Sequence, residues 1–291
     1  MLQANAMMAL AAAVLWGGGD FSGGMGSKTA GGSMPGTLRV VLTSHSASFC
    51  VLVAIASVRG DLFPHGAPLY WGLLAGVMAG LSLTGFYIAL SQGAMGVSAA
   101  ISGLLAAAIP AGVAISRDGW PGWLRIVGFV IAGASIWMIA AGENPEAKPV
   151  SASTTWLAIL SGAGFGVYFT ALKFAGVAGV VWPMATARIG SLTTCSLMLV
   201  ATALTGNRSQ ETWLPRRAVL WALSTALLDT SGNLLFIAAT RAGRLDVAAV
   251  LASLYPASTI LLAAWMLHEK PTRRQGLGML VAATAIVMIT L

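Results

Sequence analysis

Asp20 and Asp229 are carboxylates in apolar surroundings. The first lies in Gly17-Gly18-Gly19-Asp20-Phe21-Ser22-Gly23-Gly24 and the second follows Leu227-Leu228. Arg188 is embedded in the same way, between Ala187 and Ile189. A carboxylate so placed can bind a proton or a cationic group, or it can neutralise a guanidinium and hold helices together. Both roles stay open for Asp20 and for Asp229. Asn233 follows Asp229 by four residues, so on a helix both side chains share one face, with Phe236 on nearly the same stripe. Trp16, Tyr87, Tyr168 and Tyr255 are amphipathic rings that can contact a partly apolar solute or simply pack between helices. Arg39 and His45 are expected nearer a span end.

Other chemistries find no residues to carry them. Neither an HExxH nor a GxSxG arrangement occurs, and His45 and His268 have no second ligand at metal spacing. Gly162-x-Gly164-x-Gly166 lies within an apolar stretch with no strand before it, unlike a dinucleotide-binding turn. Cys50 and Cys195 form neither a disulfide framework nor a metal site, and they read as packing residues. Neither cofactor nor metal is implied, and no ATP-binding motif is present.

The elements that must position these side chains follow from composition. Only 9% of residues are charged, against about a quarter in soluble domains, and 57% are hydrophobic. Such a chain is a membrane protein, and lipid offers a peptide group no partner, so its spans are helices. Hydropathy with Gly, Pro and charge breaks gives ten spans, near 5–27, 37–58, 69–91, 96–116, 122–142, 155–177, 180–205, 218–240, 245–267 and 274–291. Eight of the ten Trp fall at or near span ends, where indole rings anchor at headgroups. The net charge of +7 is gathered at span ends, which fits anionic lipid rather than nucleic acid. The connections are too short to form domains.

The chain repeats itself. A shift of 149 carries Gly17 to Gly166, Thr37 to Thr186 and Arg39 to Arg188; a shift of 150 carries Trp71 to Trp221, Phe86 to Phe236 and Pro121 to Pro271. The expected organisation is a first five-helix repeat over 1–142, a linker over 143–154 and a second repeat over 155–291. An odd number of spans per repeat inverts the second half in the membrane, as in many secondary transporters.

These residues resemble the drug/metabolite transporter superfamily, in particular its EamA-type ten-helix members, across essentially the whole chain. The resemblance is carried by Leu254-Tyr255-Pro256, then His268-Glu269-Lys270, Gln275 and Gly278, by a weaker copy in Ala108-Ile109-Pro110, Arg117-Asp118, Pro121, Arg125 and Gly128, and by Trp16-Gly17 and Arg39. Asp118 and Arg125 depart from the family's usual Glu and Gln, and Pro110 lies about one turn from the place Pro256 predicts. The resemblance implies a secondary transporter, an exporter of small metabolites such as amino acids, with protons as the candidate coupling ion and a multi-pass place in the cell membrane of a bacterium. It also implies both termini in the cytoplasm, although the basic residues near span ends number six on that side and nine on the other. A small-solute channel, a non-transporting scaffold and an intramembrane enzyme are the alternatives. Partners are then a small-molecule solute and membrane lipid, with oligomeric state undetermined. Asp20, Asp229 and Asn233 are expected to face one cavity near Arg188, with Trp16, Tyr87, Tyr168 and Tyr255 as further contacts. Glu269 and Lys270 are expected at a mouth of the bundle.

Overall fold

A computed structural model describes residues 3–92, 95–140, 151–205, 213–266 and 272–291. The exit residues His268, Glu269, Lys270 and Pro271, and linker residues 143–150, lie outside these.

The described residues are helical almost throughout: α1 (Ala4–Thr29), α2 (Met34–Arg59), α3 (Ala67–Ser91), α4 (Met95–Asp118), α5 (Trp123–Ala140), α6 (Ala152–Ala175), α7 (Val181–Leu204), α8 (Arg216–Ala242), α9 (Leu245–Ala252), α10 (Tyr255–Met266) and α11 (Arg273–Thr290). A short 3-10 turn, Gly176–Ala178, joins α6 to α7. Local chemistry sets the ends. The Ser33 hydroxyl accepts from the Gly36 amide at 3.3 Å at the start of α2, and Gly60 closes that helix at φ 68°, a conformation that costs glycine nothing. Thr272 and Gln275 form a reciprocal capping box on α11.

Seven helical segments are long and apolar enough to cross a membrane, and Trp123–Ile139 is a shorter apolar one. The two further spans expected from the sequence correspond to α1 and α11. With 26 residues, α1 is about 39 Å long at 1.5 Å per residue, but its glycines, Asn5 and Asp20 dilute its apolar character. Side chains midway along the helices support the lipid setting: Val14, Leu160, Leu197 and Leu227 are exposed on the outer surface, where hydrocarbon is their natural contact. Trp156, Trp213 and Trp265 are exposed at helix ends.

The span expected over 245–267 is interrupted. It runs as α9, a break at Ser253 and Leu254, and α10. Pro256 is the physical cause: it has no amide proton to donate to the Ala252 carbonyl, and its ring crowds that carbonyl. Pro110 sits inside α4, which nevertheless continues.

Packing is close because small residues line the crossings. In lipid there is no hydrophobic force between helices, so association depends on contact. At the crossing of α3 and α7, a Cβ on Gly76 would run into the Ala187 carbonyl, and one on Gly190 into the Leu73 carbonyl. At Gly19, α1 comes near enough to α8 that a Cβ would lie 3.3 Å from the Asp229 amide nitrogen. In the rest of the bundle, α2 packs on α7 and α8, α3 also on α6, α4 on α6 and α9, α1 also on α10, and α5 on α11.

Gly190→Ala should therefore force backbones apart and lower stability by about 1–3 kcal/mol. Gly112→Ala is the control, since nothing stands within 4 Å of its added methyl. Thermal unfolding of the two purified variants in one detergent should show a clear drop for the first and none for the second.

Candidate functional site

Midway along the helices a cavity is walled by Trp16 and Asp20 of α1, Leu83 of α3, Phe165, Tyr168 and Phe169 of α6, Asp229 and Asn233 of α8, and Tyr255 of α10. The room left for the centres of water-sized molecules is about 30 Å³, enough for one or two waters. A larger solute must displace side chains to enter.

One wall is aromatic. Trp16 stacks on Phe169 with centroids 4.8 Å apart and planes 2° from parallel. Phe236 lies against both rings, at 5.3 Å and 4.9 Å. The spacing Phe165, Tyr168, Phe169 puts three rings on one face of α6.

The opposite side is polar, and Arg188 organises it. Its Nη2 lies 2.5 Å from Asp229 Oδ2. Nε donates to Ser48 Oγ at 2.9 Å, and Nη2 also reaches Thr230 Oγ1 at 3.3 Å. Ser48 and Thr230 are bonded to each other at 2.6 Å. Behind the guanidinium, Ser191 donates to the Arg188 carbonyl at 3.1 Å and contacts His45 Nδ1 at 2.7 Å. Arg188 is 1% exposed, and α2 and α8 supply the oxygens that meet its guanidinium. Burial of a charge is tolerated only with such partners. From Asp229 the network continues through Asn233, whose Nδ2 donates to the Asp229 carbonyl at 2.8 Å, while its Oδ1 accepts from the Tyr168 hydroxyl at 2.8 Å.

Six of the eight residues expected from the sequence thus share one cavity: Trp16, Asp20, Tyr168, Asp229, Asn233 and Tyr255. The other two stand behind its wall. Arg188 reaches the cavity only through Asp229. Tyr87 is buried against Gly23, one helical turn from Asp20, and its hydroxyl has no hydrogen-bond partner among the described residues. His45, expected near a span end, is buried in the middle of α2. Asp20 has neither a hydrogen bond nor an ion pair among the described residues.

Sequence reasoning missed Phe165 and Phe169, although their helical spacing about Tyr168 was a readable signal. It missed Ser48, Thr230 and Ser191 because lone hydroxyls in a span carry no signal. It also missed Asp246, which is fully buried at the start of α9 and paired with Arg244 at 2.8 Å. There the Arg244 guanidinium also donates to the carbonyls of Asp118, at 3.2 Å, and Gly119, at 2.9 Å, tying α9 to the end of α4. At the same end of the bundle Lys173 donates to the Thr240 carbonyl and Arg241 to the Gly176 carbonyl.

Comparison with known proteins agrees with this architecture. The model of the EamA-like transporter family matches residues 152–291, which is α6 through α11. A solved crystal structure matches over the whole chain, covering 100% of this chain and 99% of the other, with a TM-score of 0.76 at 13% identity. At that identity the likeness is one of fold, and it extends the common architecture to α1 through α5. No curated protein matches the chain. The described residues form a helical, multi-pass membrane bundle, and the match to the EamA-like transporter family lies in the half that supplies Tyr168, Arg188, Asp229, Asn233 and Tyr255.

If the ion pair is what α7 and α8 need from these residues, Asp229→Asn leaves a buried guanidinium and Arg188→Gln a buried carboxylate. Each should destabilise by about 3–5 kcal/mol, the usual result of breaking a buried pair. Combining Asp229→Asn with Arg188→Gln should recover more than half of the melting temperature lost in either single variant, measured by thermal unfolding in detergent.

Proposed function

We propose that this protein is a secondary transporter, an exporter of small metabolites across the cell membrane, in which two inverted repeats, 1–142 and 155–291, alternate access to the cavity. The observation that carries this reading is the cavity itself: ionisable and aromatic side chains line one space halfway along the spans, with walls from both repeats. Ionisable groups are costly in a membrane interior, and those that persist there mark solute or proton paths.

The helix pairings support the repeats. Renumbering each span by five turns the α1–α8 contact into α6–α3, and the α4–α6 contact into one between the α9–α10 span and α1; all four are present. The α2–α7 and α5–α11 contacts map onto themselves. A pseudo-two-fold relation between inverted halves generates this pattern.

The charged ties of Arg244, Asp246, Lys173 and Arg241 gather at one end of the bundle, and passage of a solute through that end requires them to break and re-form. The interruption between α9 and α10 supplies a place to bend, as discontinuous helices do at transporter sites. A proton gradient is the proposed driving force, with Asp20 as the titratable group facing the cavity.

A thermal-shift screen of the purified protein against a metabolite panel should yield a stabilising solute. In proteoliposomes that solute should show saturable counterflow, faster under an imposed pH gradient. Asp20→Asn should lower the exchange rate at least about tenfold, a 1.4 kcal/mol effect, without loss of folded protein. Non-saturable flux, or exchange unaffected by Asp20→Asn, would exclude the mechanism.

A further inference from the structure

The charges around the cavity do not balance. Arg188 is committed to Asp229, with its remaining contacts to Ser48 and Thr230. Asp20 lines the cavity with no hydrogen bond or ion pair among the described residues, and neither Lys nor Arg stands in the wall. In front of this carboxylate are five rings: Trp16, Phe165, Tyr168, Phe169 and Tyr255. Aromatic faces carry negative electrostatic potential and attract cations, most strongly where water is excluded.

We infer that the cavity selects a monocationic amine with an apolar body, its ammonium group opposite Asp20 and its body among the rings, and that it rejects zwitterions and anions. This narrows the solute class of the transporter proposed above and rests on that reading. A zwitterionic amino acid would bring a carboxylate toward Asp20 and Asp229, where the one guanidinium is already taken. Of the wall's polar donors, Tyr168 is engaged with Asn233, the Asn233 amide with the Asp229 carbonyl, and Tyr255 with the Ala99 carbonyl. A carboxylate entering here would lose its hydration and meet two carboxylates of its own sign with no cation in the wall, which a buried site punishes strongly.

The test compares ligands of one shape and different charge on the full-length protein in detergent. Isothermal titration with 2-phenylethylammonium, 2-phenylethanol, 3-phenylpropionate and phenylalanine should place the amine at least about tenfold tighter than the alcohol, with the propionate and phenylalanine weaker than both. Asp20→Asn, checked for an unchanged melting temperature, should bring amine and alcohol to equal affinity. Equal binding of amine and alcohol by the unmodified protein would overturn the proposal. So would phenylalanine binding as tightly as the amine, absence of amine binding at millimolar concentration, or a charge preference that survives Asp20→Asn. The unmodified protein alone decides the matter if the variant fails to fold. Counterflow of labelled 2-phenylethylammonium separates this idea from the transport reading. Charge-selective binding without counterflow removes the transporter and leaves the site, whereas counterflow of phenylalanine in preference to the amine does the reverse.

Discussion

A guanidinium has to be housed inside a bundle that lipid surrounds, and much of the interior follows from how Arg188 is accommodated. An arginine at the centre of a bilayer costs at least about 2.5–3.5 kcal/mol on insertion scales, and it cannot escape by losing its proton. Its five N–H donors therefore need oxygens from neighbouring helices. Asp229 supplies charge, Ser48 and Thr230 supply hydroxyls, and the result fixes α2, α7 and α8 relative to one another. The glycine contacts at Gly76 and Gly190 draw α3 against the same helix. The position of Asp229 then determines that of Asn233 one turn on, and Asn233 holds the Tyr168 hydroxyl of α6. A chain of contacts thus leads from one buried charge to the aromatic wall.

That arrangement gives the two intramembrane carboxylates different roles. Asp229 is occupied by Arg188 and by the geometry around it. Asp20 stands on a helix whose glycines let α8 and α10 approach closely, so it is near the pair without belonging to it. Asp20 thus faces the cavity with a second carboxylate nearby and no cation in the wall. The buried cation and the carboxylate without one are therefore neighbours in the same bundle.

Much of this was legible in the sequence, for a physical reason. Charges are so expensive in lipid that each one inside a span stands out, which is how Asp20, Arg188 and Asp229 were recognisable and how Asn233 followed from helical spacing. The all-helical, multi-pass fold was legible because unsatisfied peptide groups are excluded from hydrocarbon. Side chains that cost little were not legible. Ser48 and Thr230 resemble any hydroxyl that bonds its own helix backbone, and Phe165 and Phe169 resemble lipid-facing rings until α6 is placed against α1. Tyr87 was expected as a further contact of the cavity and does not line it, because periodicity gives the face of a helix but not how far a neighbour covers that face. Asp246 was overlooked because it sits at a span end, where an acid looks solvated; the fold buries it under Arg244.

The interrupted ninth span connects the cavity to the end of the bundle that Arg244 ties together. Its first piece, α9, begins at the Arg244–Asp246 pair that grips the Asp118 and Gly119 carbonyls, and its second, α10, begins at Tyr255 in the cavity wall. Pro256, at the start of α10, cannot donate to the Ala252 carbonyl, so the joint lacks that helical hydrogen bond. The Ser258 hydroxyl bonds the Ala13 carbonyl, and Thr259 the Gly17 carbonyl, so α10 moves with or against the helix that carries Trp16 and Asp20. The Arg244 contacts and Tyr255 of the cavity wall thus belong to one span, and its break at Ser253 and Leu254 lies between them, so the least regular backbone of the bundle stands between its charged end and its cavity.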